Sequence, residues 1–169
     1  TVSLDGFPRL NNYIRAGSKT EEVEKHIRVL KTIANVTLKT STCVSSYNAL
    51  YLAETFEYIL GLGVPIYYNR VTYPRFMDAR TLPIETRRRA IAKLRGFDFQ
   101  KVESSGLDDG EKLRCRRVIE DCMEWLADES LAGAEGEDNY GTFLKYAATL
   151  DRVHGTSFAE PTLNISGEL

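Results

Sequence analysis

The chain has 169 residues, enough for one domain with a sizeable core, and its 43% hydrophobic and 27% charged content is that of an ordinary globular protein. A net charge of −2 leaves no basic excess to neutralise phosphates; this excludes broad nucleic-acid binding but leaves room for a local anion site. No apolar run approaches the roughly 18 residues of a membrane span, and Cys43, Cys115 and Cys122 are too few and too scattered for a disulfide framework, so a reducing, cytoplasmic setting is expected.

Thr1-Val2-Ser3-Leu4 alternates as a half-buried strand does, and Asp5-Gly6 is a turn dipeptide. Ser18-Lys19-Thr20-Glu21 has the form of a capping box ahead of a helix whose Val23, Ile27, Leu30 and Ile33 make one apolar stripe. The β-branched run Val36–Val44 predicts a second strand. Ser45 or Ser46 is expected to cap a second helix, with Leu52, Phe56, Ile59 and Leu60 buried and Gly61 and Gly63 ending it. Val64–Val71 predicts a third strand, broken by Tyr73-Pro74.

Strand–helix–strand–helix–strand is the βαβ pattern of a parallel sheet with external helices. After Pro74 the pattern turns helical: one helix from Pro83 to about Leu94, one from about Glu111 to Ala127, and one from about Tyr140 to Val153 that stops at Gly155. Glu103–Gly110 and Gly133–Asp138 are expected loops, and the terminal PTLNISGEL shows no firm periodicity. Residues 1–75 are thus read as the second half of a parallel α/β structure, and residues 76–169 as a helical extension. Three strands make a thin sheet with an open edge at residue 1, so the expectation is a missing N-terminal half, supplied by preceding residues or by a partner chain.

In parallel α/β folds ligands bind beyond the carboxyl ends of the strands, which is where Ser3-Leu4-Asp5-Gly6 ends. Arg15, twelve positions after Ser3, is expected to return over the same mouth, and a hydroxyl with a guanidinium suits a carboxylate.

The segment SLDGFPRLNNYIRAGSKTEEVEKHI resembles the fourth-strand region of radical S-adenosylmethionine enzymes of the SPASM/twitch group. NVTLKTSTCVSSYNALYLAETFEYILGLGV is similar to the strand and helix that follow there, and LDRVHGTSFAE resembles the C-terminal signature of twitch-type members. The resemblance implies an α/β chain holding the last three parallel strands of a partial (β/α) barrel, followed by a helical, twitch-like extension. It implies that Ser3 and Arg15 meet the ribose and carboxylate side of S-adenosyl-L-methionine with Asp5 alongside, and that Asn69 and Val71 lie near the adenine. Thr40 and Thr42 are expected to face the lumen.

The parent enzyme would cleave the cofactor at a 4Fe–4S cluster to a 5′-deoxyadenosyl radical that abstracts hydrogen from a peptide or other substrate, the radical chemistry belonging to the cofactor. This chain departs from the family pattern. It has no CxxxCxxC, so the cluster is expected only in the parent and no residue here is read as catalytic or metal-ligating; Glu160 is also followed by PTLNISGEL where the family has FPEL. The alternative is a non-catalytic α/β module that docks a partner on its exposed first strand.

The other candidates have ordinary explanations. Cys115 and Cys122 are seven residues apart, about 10 Å along a helix, too far to share one metal ion, and read as core residues. His26 and His154 have no nucleophile partner in the sequence, and Arg87-Arg88-Arg89 reads as a solvated helix face. Tyr67, Tyr68 and Tyr73 suit either packing or a substrate wall.

Overall fold

The computed structural model describes residues 1–131 and 134–158, with backbone alone at 134 and 135. PTLNISGEL, the Ala159-Glu160 end of the signature segment and Gly133 of the expected second loop lie outside the described residues. Three parallel strands form one sheet in the order β1 (Val2–Ser3), β2 (Thr40–Val44), β3 (Tyr68–Arg70). Ser3 lies beside Ser41, and Cys43 beside Asn69. The α/β character and the three parallel strands are as expected, but the strands are shorter than their β-branched runs.

The shortening has local causes. Asn35 holds a left-handed backbone (φ +65°) that turns the chain, and pairing begins only at Thr40. Pro65 has no N–H to give a ladder, so it takes part only as an acceptor, through Thr40 N to Pro65 O at 3.1 Å. Tyr67 O accepts from Thr42 N at 2.9 Å before β3 begins.

A short helix, α1 (Pro8–Ile14), follows the Asp5-Gly6 turn, with Pro8 in its first turn. The next helix, α2 (Thr20–Leu30), starts without the expected capping box. Lys19 holds the cap position, and the amide and hydroxyl of Thr20 both donate to Asn12 Oδ1, at 2.9 and 2.6 Å. A neighbouring helix thus does what Ser18 and Glu21 were expected to do. A single 3₁₀ turn, Ala49–Tyr51, leads into α3 (Leu52–Gly61), with neither Ser45 nor Ser46 as its cap. Gly61 stays helical, and Gly63 (φ +62°) makes the left-handed turn that follows.

Four further helices follow: α4 (Ile84–Arg95), the short α5 (Gln100–Glu103), α6 (Asp109–Ala127) and α7 (Ala134–His154). Asp108 caps α6 by accepting from Glu111 N at 2.9 Å. The last helix begins before the expected Tyr140 and takes in Gly136, Glu137 and Asp138, which the sequence suggested were loop. None of the described helices is long and apolar enough to cross a membrane.

One continuous apolar core joins the two halves of the chain. Leu4 and Val44 from the sheet pack with Phe56 and Ile59 of α3, Leu94 of α4, and Ile119 and Leu126 of α6. Just ahead of β3, Ile66 N donates to Cys115 Sγ at 3.4 Å, so α6 satisfies a buried donor that the sheet does not pair. Cys115 and Cys122 are fully buried small hydrophobes, as expected. Leu113, on the same helix, is 51% exposed. A second, aromatic cluster around Tyr47 and Phe143 packs Tyr13 and Phe158 against α7.

These placements predict opposite outcomes for two apolar positions. Phe56→Ala should cost about 3–5 kcal/mol in urea unfolding, because Phe56 is fully enclosed. Leu113→Gln should stay within about 0.5 kcal/mol of the parent chain.

Candidate functional site

The site begins with the alternation of β2. Thr40, Thr42 and Val44 are buried, whereas Ser41 and Cys43 are half-buried. Thr40 Oγ1 donates to Pro65 O at 2.9 Å and Thr42 Oγ1 to Leu4 O at 2.8 Å. The two threonines therefore sit on the side covered by helices, and the expectation that they face a lumen is corrected by one residue: the open face belongs to Ser41 and Cys43. A run of Thr and Ser on both sides of the strand carries no hydropathy contrast, so the sequence did not reveal which set faces out.

On that open face the parallel register sets Ser3 beside Ser41 and Cys43 beside Asn69. Asn69 Nδ2 donates to Ser41 Oγ at 2.9 Å, and both Ser3 and Asn69 are exposed. Two of the expected site residues thus share one polar surface through a residue, Ser41, that the sequence reading did not single out. Val71 is half-buried and holds β3 to β2 by its backbone, with its N–H on Val44 O at 2.9 Å.

Asp5 closes the strand ends. Its Oδ1 accepts from Cys43 N at 2.7 Å, taking the place of a backbone carbonyl in the ladder. Its own N–H donates to Asn11 Oδ1 and its C=O accepts from Asn48 Nδ2, each at 2.8 Å. Asn48 Nδ2 also reaches Cys43 O at 2.9 Å, while Asn48 Oδ1 accepts from Ser45 N at 2.8 Å. Asn11, Asn48 and Asp5 are buried, so each of these bonds replaces hydration that folding removed.

Arg15, just beyond α1, places Nε 2.8 Å from Asp5 Oδ2 as an ion pair without a well-directed N–H bond. Its side chain is 36% exposed against 5% for Asp5, so its outer edge reaches solvent. Cys43 lies within the field of both. Burial raises the thiol pKa above its ordinary value, Asp5 raises it further, and Arg15 partly offsets them.

Other sequence candidates separate from this site. His26 and His154 are exposed, and the described residues contain no group of three or more His, Cys, Asp or Glu able to hold a metal. Tyr73 is almost wholly exposed and walls nothing, Tyr68 accepts from Arg70, and Tyr67 is bonded to Glu111. Arg87 is a correction. It is 1% exposed, whereas Arg88 and Arg89 form the expected solvated face. Comparison with known protein families, characterised proteins and solved structures finds no match.

Asp5→Ala should destabilise the chain by about 2–3 kcal/mol, below the value for a fully buried pair because Arg15 is partly solvated. Asp5→Asn, which keeps an acceptor for Cys43 N–H, should cost less. Native iodoacetamide labelling at about pH 8 should be slow at Cys43 and faster in Asp5→Asn, since removing the negative charge lowers the thiol pKa. Equal rates in the two proteins would show that Cys43 does not feel Asp5.

Proposed function

We propose that this chain is the later part of a radical S-adenosylmethionine enzyme and contributes the face that holds the adenosyl amino acid. The observation carrying this reading is the shared polar surface of Ser3 and Asn69 at the ends of parallel strands, with the Arg15 guanidinium anchored beside it. The (β/α) barrel and the twitch-like extension belong to the same proposal, and rest on the resemblance together with the three parallel strands.

The donor set fits an adenosyl amino acid. Ser3 offers an exposed hydroxyl to a ribose. Arg15 is engaged through Nε, which leaves its outer nitrogens for a carboxylate. Asn69 spends Nδ2 on Ser41 and keeps Oδ1 as an acceptor for an exocyclic amine. Asp5 acts through Arg15, fixing the guanidinium, and Val71 borders the adenine end. The chain's residues do not fit a 4Fe–4S cluster: two of its three cysteines are enclosed in the core, and burial pushes the Cys122 thiol up to about 12. In this reading the cluster ligands come from outside this sequence, and no step is assigned to the cluster here.

The second reading, a non-catalytic docking module, is favoured by one feature: β1 is an edge strand, with no described strand on its outer side. A partner strand added there would use backbone bonds and would not depend on Arg15.

Titration of the isotope-labelled chain with S-adenosylhomocysteine, followed by amide NMR, distinguishes the two. The enzyme reading expects shifts at Ser3, Ser41 and Asn69, and an affinity about tenfold weaker in Arg15→Ala. A folded chain with no shift at these amides at millimolar ligand would overturn it. Anaerobic iron–sulfide reconstitution of this chain should give no visible cluster absorbance, and a stable band would refute the assignment of the ligands elsewhere.

A further inference from the structure

Far along the sequence from the strand ends, a cavity of about 510 Å³ opens between the start of α4 and the first turns of α7. Its innermost charged group is Arg87. Arg87 Nε donates to Leu82 O at 3.3 Å, and Nη1 donates to Leu126 O and Asp128 O at 3.0 and 2.9 Å. Those two carbonyls end α6, so the guanidinium sits at the negative pole of that helix. Carbonyl dipoles solvate a cation without cancelling it, and no carboxylate among the described residues lies within ion-pair distance of Arg87. Its Nη2 makes no hydrogen bond to any described residue.

The other cations of this wall are already neutralised. Arg80 is paired with Asp78 and Asp128, each at 2.7 Å, and Arg88 with Glu85 at 2.7 Å. A buried cation without a counter-charge is costly, and retaining one inside a cavity points to an anion that completes it. A second feature agrees. The helix α4 begins at the cavity wall with Pro83 at its cap and no side chain bonding its first turn. Its first helical bond runs from Arg87 N to Pro83 O, so the amides of Ile84, Glu85 and Thr86 remain as donors at a positive helix end.

We propose that this cavity binds a small monocarboxylate with an apolar body, one carboxylate oxygen on Arg87 Nη2 and the other toward the first-turn amides of α4. Leu82, Ile84, Leu131 and Tyr140 supply the apolar walls. The exposed carboxylates Glu129 and Glu137 also line the space, and they disfavour a phosphate dianion while suiting a ligand that carries an amine. The favoured class is therefore a branched aliphatic acid or amino acid. This site is built from residues other than those of the adenosyl reading and stands whether or not that reading holds.

The test is amide NMR of the full chain titrated separately with isovalerate, L-leucine and inorganic phosphate. Isovalerate and L-leucine should shift the amides of Ile84, Glu85, Arg87 and Gly136, with phosphate binding more weakly. Arg87→Lys should weaken isovalerate by about tenfold or more. Because that substitution disturbs a buried group, Ile84→Asp provides the control. Ile84 is 37% exposed, and an acid in the first turn suits the helix, so the melting temperature should hold or rise while isovalerate binding is lost. The proposal is overturned by the absence of shifts at these amides, by unchanged affinity in Ile84→Asp, or by phosphate binding more tightly than isovalerate.

Discussion

The arrangement depends on how a parallel sheet of only three short strands ends. Parallel strands leave slanted, partly unmatched N–H and C=O groups at their carboxyl ends, and here the ends of β1 and β2 are buried against α1 and the turn before α3. Asp5 and Asn48 resolve this. The Asp5 carboxylate takes the Cys43 amide, and the Asn48 amide ties the carbonyls of Asp5 and Cys43 together. Apart from that clasp, the two-residue β1 is held to β2 through Val2 N, Leu4 N and the Thr42 hydroxyl on Leu4 O.

The clasp also explains why Arg15 stands where it does. A carboxylate buried at the strand ends needs a cation, and the end of α1 delivers one. One pair thus serves the strand ends and the rim together: the carboxylate that closes the ladder also holds the partly exposed guanidinium. The partly exposed Arg15 and the exposed Ser3 and Asn69 make this end of the sheet polar, although the chain as a whole is slightly acidic.

A similar economy operates at the other end of the molecule. Arg87 joins the start of α4 to the carbonyl end of α6 and so helps fix the angle between two helices of the core. Among the described residues the buried charged side chains are Asp5 at the strand ends, Asp78 paired with Arg80, and Arg87 between helices. The apolar core between Asp5 and Arg87, running from Leu4 to Leu126, keeps the two in fixed relation.

Much of the fold was legible from the residues alone: the parallel βαβ order, the positions of α2, α3, α4 and α6, the turn at Gly63 and the burial of Cys115 and Cys122. These follow from periodicity and from the backbone freedom of glycine, which are local properties. The approach of Arg15 to Asp5 was also legible, because a strand-ending turn and a following cation are close in sequence. Only the tertiary structure decided which face of β2 is open, since Thr and Ser alternate there without contrast. It also decided that Asn12 holds the start of α2, that α3 begins without a serine cap, and that one arginine of a basic run is enclosed. Each of these depends on what a distant element brings alongside, and neither spacing nor composition encodes such an approach.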